Sequence, residues 1–262
     1  MVRAGNPVFS DIDSPASCSE TLVAGIVQPA RKIDSYLSPI RACRVLARPH
    51  WSRRTCALRA RELPAKQELR QRLRQTVARI PADQIGTRSL RVAHRLFEQP
   101  EYVRAEAIMV FLSLPSEIET TPIVLRAWQD SKRVLAPKVS WNQRRMLPLE
   151  FRSLTEDLVS SSMGIREPIA GIPFPIPLID LVIVPGLGFD EYGHRVGRGR
   201  GFYDRFLANT DFRGVACGLA FTEQIVPAIP AGPLDRPVDM LITDETVRRF
   251  AGSRQQALGN RY

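Results

Sequence analysis

In the segment GHRVGRGRGFYDRF, residues 193–206, Gly197, Gly199 and Gly201 alternate with Arg198 and Arg200, then run into an aromatic pair and an aspartate. Glycines let backbone N–H groups come close to a ligand, and guanidinium forks match phosphate oxygens. Arg195, Arg198 and Arg200 would supply the full charges. The spacing fits both a phosphate cradle and a plain Gly/Arg surface loop. It lacks the closing Gly-Lys-Ser/Thr of a Walker A sequence and the distal acid of a dinucleotide fingerprint. Asp204 follows Gly201 by three residues. Beside a bound polyphosphate such a carboxylate holds magnesium; by itself it is an acid stabilised at a helix N-terminus.

Other groups have chemistry at hand. In FLSLPSEIET, Glu117 and Glu119 would point the same way if the segment stays extended, while Glu119 with Thr120 also reads as a solvated helix start. Lys66 and Arg70 lie four apart, which places them on one helix face, either as a second anion clamp or as a solvated surface. His50, His94 and His194 have no neighbours spaced for a triad or a metal, so none is given a catalytic role.

The elements that must hold these groups follow from periodicity. Pro64 suits the first turn of a helix, and AKQELRQRLRQTVARI spaces Leu69, Leu73, Val77 and Ile80 helically. A second helix, 82–98, has Ile85, Leu90, Ala93, Leu96 and Phe97 as its apolar side. After Pro100, AEAIMVFL, TTPIVLRAWQD and KRVLAPKV read as strand, helix and strand, a parallel βαβ unit. MLPLEF, GVACGLAF and DMLIT add strands. IDLVIVPGLGF is apolar throughout, as a strand covered on both faces would be, and the glycine segment follows it directly, with a helix over 201–207. An α/β domain with a mostly parallel central sheet is expected, with ligands at the carboxyl ends of its strands.

The chain carries 37 Lys and Arg against 27 Asp and Glu, a net +10 that invites an anionic partner. Residues 1–60 hold nine of the basic and four of the acidic residues, so half of the excess sits there. That stretch lacks sustained period, carries Pro7, Pro15, Pro29, Pro39 and Pro49, and reads as a disordered extension or as upstream sequence translated from a wrongly assigned start. Residues 61–262 then form a single α/β domain. The four acids of the extension oppose an organelle transit peptide, and no apolar run reaches the length of a membrane span. Cys18, Cys43, Cys56 and Cys217 show no zinc spacing, and Cys217 in its apolar run is a buried small hydrophobe. The absence of a disulfide pattern suits a reducing, cytoplasmic location. An RNA-binding reading, with the extension and GRGRG as an arm, competes with the enzyme readings.

Taken together, VPGLGFDEYGHRVGRGRGFYDRFL closely resembles the signature of the 5-formyltetrahydrofolate cyclo-ligase family, and AKQELRQRLR, FLSLPSEIET, GIREP and VDMLITD match its other blocks in order. The likeness spans 64–250. It implies a three-layer α/β sandwich similar to the sugar-phosphate isomerase and CoA-transferase group. It also implies conversion of 5-formyltetrahydrofolate to 5,10-methenyltetrahydrofolate with ATP and magnesium, releasing ADP and phosphate. By matching positions, Lys66, Arg70 and the run Arg195, Val196, Gly197, Arg198, Gly199, Arg200, Gly201, Phe202, Tyr203 would contact ATP. Leu112, Glu117 and the part of that run from Arg198 to Phe202 would contact folate. Asp204 and Asp235 would hold magnesium, with Arg198, Arg200 and Asp204 as the catalytic groups. The partner implied is a small molecule, bound by a monomer, with neither nucleic acid nor membrane involved. Three positions depart from the family: Arg200 stands where Lys or Gly is common, Phe202 where Tyr is usual, and Val196 where Leu is usual. Phe202 keeps a stacking face but lacks a hydroxyl, and Arg200 keeps the charge of Lys with a different geometry.

Overall fold

The computed structural model describes residues 53–160, 164 and 166–250. Seven strands form one sheet in the order β11 (Val247–Arg249), β10 (Met240–Thr243), β9 (Val215–Ala220), β6 (Leu181–Val184), β1 (Ala107–Met109), β2 (Arg133–Ser140), β3 (Arg145–Glu150). The run from β10 to β2 is parallel, and the edge strands β11 and β3 pair antiparallel. The βαβ unit expected after Pro100 is β1, α4 (Thr121–Gln129) and β2, with Ala107 opposite Arg133 in parallel register.

Alternation along the strands sorts the core into two layers. Ile108, Val134, Ile183, Leu219 and Ile242 face α2 (Ala82–Phe97) and α4, where Val92, Leu96, Ile123 and Val124 meet them. Met109, Leu135, Val182, Val184 and Leu241 face the other way, onto Phe206 and Leu207 of α5 (Phe202–Leu207) and onto Phe212. Helices on both faces of a mostly parallel sheet give the expected layered α/β architecture. Cys217 is fully buried in the first layer, and burial pushes its thiol far up, so it behaves as the small apolar side chain expected.

Three local expectations need correcting. Helix α1 runs Arg53–Ala78, so Pro64 lies inside it and the helix reaches into the stretch 1–60 that read as irregular. The remainder of that extension, 1–52, lies outside the described residues. On α2, Leu90 is 46% exposed while Ser89 and Val92 are buried. The inward face is rotated because the Ser89 hydroxyl accepts a hydrogen bond from the Glu119 backbone N–H at 2.9 Å, a polar reason for burial that apolar periodicity does not register. Finally, IDLVIVPGLGF is not one strand: it divides into β6 and β7 (Gly188–Phe189), and β7 pairs antiparallel with β8 (Arg195–Val196) inside the glycine segment. Between β3 and β6, β4 (Leu158–Ser160) and β5 (Arg166–Pro168) form a separate antiparallel pair, and α3 (Pro100–Arg104) leads into β1. No helix among the described residues is long and apolar enough to cross a membrane.

Candidate functional site

The β7–β8 hairpin is the platform of the site. Asp190 at its turn is 1% exposed and accepts backbone N–H bonds from Tyr192, His194 and Ile229, at 2.9, 2.9 and 3.0 Å. Its other contact, to His194 Nδ1 at 3.2 Å, gives that histidine a place in the turn. Leu69 and Leu73 of α1 pack against Leu187, Val196, Val226 and Ile229 in a third, smaller core. That packing lays α1 across the hairpin, so Lys66 and Arg70 on its neighbouring face arrive at the glycine segment.

There the charges pair across long stretches of chain. Arg70 Nε donates to the Gly197 carbonyl at 2.9 Å, and the Lys66 ammonium pairs with Asp235. Arg195 donates to Asp204 Oδ1 at 2.7 Å and to the Arg236 carbonyl, while the Arg236 N–H reaches the same Asp204 oxygen at 3.2 Å. Arg198 meets Glu117 Oε1 at 2.8 Å. Burial lowers the proton affinity of the Arg195 guanidinium, and the nearby carboxylates of Asp204 and Asp235 oppose that shift. Both acids therefore stand close to a single buried cation. The segment 113–119 turns instead of staying extended, with the Glu117 N–H bonded to the Leu114 carbonyl at 2.9 Å, so Glu117 faces Arg198 and Glu119 is exposed.

The backbone of the loop depends on glycine at two points. Gly199 has φ +98° and Gly201 φ +64°, the left-handed region where a side chain is strained. Gly201 then caps α5, which has six residues, fewer than two turns. So short a helix adds little dipole, and the arginine and lysine side chains carry the positive potential. Asp204 is in the first turn of α5, as the spacing predicts.

The structure therefore gathers Lys66, Arg70, Arg195, Gly197, Arg198, Gly199, Gly201, Glu117, Asp204 and Asp235. It does not bring the side chains of Leu112 or Val196 to the surface of the site: they are 6% and 1% exposed and belong to the cores. Tyr203 wedges between the two main cores, and its hydroxyl is buried without a hydrogen-bond partner. Burial, and next the Glu117 carboxylate, push that phenol well above its ordinary value, so it stays neutral. Arg200 and Phe202 turn to the opposite end of the loop, where Trp141 meets them. Neither Trp141 nor the backbone of Arg236 was found from the sequence: the first lies in a turn with no period, and the second acts through main-chain atoms that carry no residue signature.

The two carboxylates suit a small divalent cation. Asp204 uses Oδ1 for its hydrogen bonds, and Asp235 uses Oδ2 for Lys66 and for the Gly232 N–H at 2.6 Å. Each thus keeps one oxygen without a hydrogen bond among the described residues, and magnesium commonly takes one or two carboxylates together with phosphate oxygens and water. No cluster of three or more His, Cys, Asp or Glu occurs among the described residues, so these two would need a ligand's oxygens to complete the shell.

Residues 62–244 match the model of the 5-formyltetrahydrofolate cyclo-ligase family. Among curated relatives, the 5-formyltetrahydrofolate cyclo-ligase of Mus musculus is 30% identical over 192 residues, covering 70% of this chain and 95% of its own. That of Escherichia coli K12 is 34% identical over 159 residues, covering 59% and 87%. Among solved structures, the 5,10-methenyltetrahydrofolate synthetase of Aquifex aeolicus superposes with a TM-score of 0.63 at 28% identity, covering 72% of this chain and 94% of that one.

Proposed function

The chain belongs to the 5-formyltetrahydrofolate cyclo-ligase family, and from that membership we propose that it closes 5-formyltetrahydrofolate to 5,10-methenyltetrahydrofolate, with ATP and magnesium, in the charge cluster around the 197–201 loop. The observation that carries the assignment of the site is the convergence of Lys66–Asp235, Arg195–Asp204 and Arg198–Glu117 on one glycine loop.

The chemistry asks for what this cluster has. A formyl oxygen is a poor leaving group, so it first attacks the γ-phosphorus of ATP while the bond to ADP breaks. The folate bridge nitrogen then adds to the formyl carbon, the carbon–oxygen bond breaks, phosphate departs, and the proton of that nitrogen passes to solvent. Catalysis of phosphoryl transfer is chiefly positioning and charge neutralisation. Lys66 and Arg70 hold the phosphates from the α1 side, and the left-handed backbone at Gly199 lets main-chain N–H groups close on them. Arg198, released from Glu117, stabilises charge on the formyl oxygen, and Glu117 orients the folate ring system. Arg195 stays buried and holds Asp204 in place. Magnesium, when bound to Asp204 and Asp235, neutralises the phosphate oxygens.

Lys66, Arg195 and Arg198 already have carboxylates, and Arg70 donates to the Gly197 carbonyl, so at the three paired groups binding is an exchange of partners. Were magnesium held by Asp235, Lys66 would be free to pair with a phosphate oxygen, and neither charge would be left uncompensated. The layered sheet, with the loop beyond the carboxyl end of β6 and Glu117 beyond that of β1, also supports kinship with the sugar-phosphate isomerase and CoA-transferase group. The RNA-binding alternative gains no support: Arg195 and Arg198 are ion-paired within the site.

The test is direct. The protein mixed with ATP, magnesium and 5-formyltetrahydrofolate should develop the near-ultraviolet band of the methenyl product, and omission of ATP should abolish it. Folded protein giving no band refutes the reading.

A further inference from the structure

Trp141, in the turn between β2 and β3, is 46% exposed, although a tryptophan ring is among the side chains that gain most from burial. It stands edge-to-face on Phe202, with ring centres 5.4 Å apart at 85°, and the Arg200 guanidinium lies 5.5 Å from its ring centre. Arg205 lies 5.0 Å from the Phe202 ring and is itself fixed, donating to the Arg144 carbonyl at 2.8 Å and to the Arg200 carbonyl at 2.9 Å. These bonds tie the hairpin turn to the start of α5, so the aromatic pair has a set geometry at the rim of the loop.

The charge around this pair is less compensated than that of the site beside it, where of the basic groups described only Arg70 rests on a main-chain carbonyl in place of a carboxylate. Lys66, Arg195 and Arg198 each have a carboxylate. Arg144, Arg145, Arg200 and Arg205 have no ion-pair partner among the described residues, and all four are exposed. Like charges gathered without counter-charge repel one another. A half-exposed aromatic ring with unpaired guanidiniums beside it fits a ligand that joins a flat ring to carboxylates. Arg70 and Asp235 lie at the Gly197 end of the loop and Trp141 at the Arg200 end, with Arg198–Glu117 between them. A nucleotide with its phosphates at the first end leaves the second to the other substrate.

We propose that Trp141 is a folate-stacking residue: its half-exposed ring packs against the aminobenzoyl ring of the substrate, with Arg144 and Arg145 receiving the glutamate carboxylates. This rests on the function proposed above. Aromatic stacking of this kind contributes on the order of a 5- to 30-fold change in affinity.

The experiment compares Trp141→Ala and Trp141→Phe with the wild-type full chain, after circular dichroism shows each to be folded. For Trp141→Ala the KM for 5-formyltetrahydrofolate should rise roughly 5- to 30-fold while the KM for ATP and kcat stay within about twofold. Trp141→Phe should restore most of the folate KM. N-(4-aminobenzoyl)-L-glutamate should inhibit the wild type competitively with folate and not with ATP, and Trp141→Ala should weaken that inhibition by a similar factor. A folate KM unchanged in Trp141→Ala, or a rise confined to the ATP KM, overturns the inference while leaving the function standing. A wild type that forms no methenyl product overturns the function itself.

Discussion

Asp204→Asn separates the structural from the chemical work of one carboxylate. In the folded chain its Oδ1 lies 2.7 Å from a guanidinium nitrogen of Arg195, whose side chain is 4% exposed against 25% for Asp204. At an effective dielectric constant near 20, the attraction over that distance is about 6 kcal/mol. Three features reduce the loss. Asparagine keeps an acceptor oxygen at the same place, Asp235 also stands near Arg195, and Asp204 is partly solvated. The net destabilisation expected is about 2–3 kcal/mol, somewhat under the usual cost of stripping one partner from a buried pair. For a domain of this size that corresponds to a fall of roughly 5–10 °C in melting temperature. The chemical effect is distinct: with one of the two carboxylates proposed to hold magnesium gone, the magnesium concentration for half-maximal turnover should rise by about tenfold or more. Thermal melts followed by turnover against magnesium at a temperature where both proteins are folded read the two effects apart. Wild-type magnesium dependence in the variant would remove Asp204 from the metal site, and an unshifted melt would refute its pairing with Arg195.

Two further perturbations test the loop and the far edge of the sheet. Gly199→Ala meets no clash, since a Cβ there would lie 3.5 Å from the Arg70 guanidinium, but φ +98° strains any side chain by about 1–3 kcal/mol; the ATP KM should rise several-fold with a modest drop in melting temperature, and an unchanged ATP KM would exclude this backbone from the nucleotide site. At the other place, Arg88 Nε bonds Asp244 at 2.6 Å while its two terminal nitrogens fork onto Glu223. Arg88 holds the Glu223 carboxyl below its ordinary 4.5. For Asp244, burial pushes upward, yet the bonds from Arg88 and Thr222 leave it below its ordinary 3.8. A depressed folded value means the stabilisation is present above the unfolded value and is lost as pH falls through the folded one. Stability should therefore decline as pH drops below about 4.5, and Arg88→Met should flatten that decline; equal acid slopes in melts of the two proteins would show that these carboxylates do not govern it.

What could be read from the sequence follows the length of the signal. Strands buried on both faces, such as Leu181–Val184, and helices of several turns show their period plainly. The β7–β8 hairpin was missed because each of its strands has two residues, too few for any period, and because Asp190 holds the turn by backbone bonds. The start of α1 was misplaced for a different reason. Proline favours a helix's first turn, which points to a start at Pro64, whereas the helix begins at Arg53 and carries Pro64 inside it. Leu90 went to the wrong face since a buried serine looked polar when read without its partner, the Glu119 N–H.

Charge shows the same limit more sharply. A count of +10 says that the chain attracts anions and says nothing of where. Lys66 and Asp235 are 169 positions apart, and Arg198 and Glu117 are 81 apart, so no window along the sequence contains either pair. Folding pairs Lys66, Arg195 and Arg198 with carboxylates near the proposed phosphate site, sets Arg70 on a main-chain carbonyl there, and leaves Arg144, Arg145, Arg200 and Arg205 around Trp141 without an ion-pair partner among the described residues. The paired cations are poised to exchange one anion for another, which suits a metal-bound nucleotide that brings its own positive charge. The unpaired ones suit a ligand whose carboxylates arrive without a metal. On the proposed division the two ends of one glycine loop would select two substrates of different charge chemistry, a distinction that net charge and motif spacing alike leave invisible.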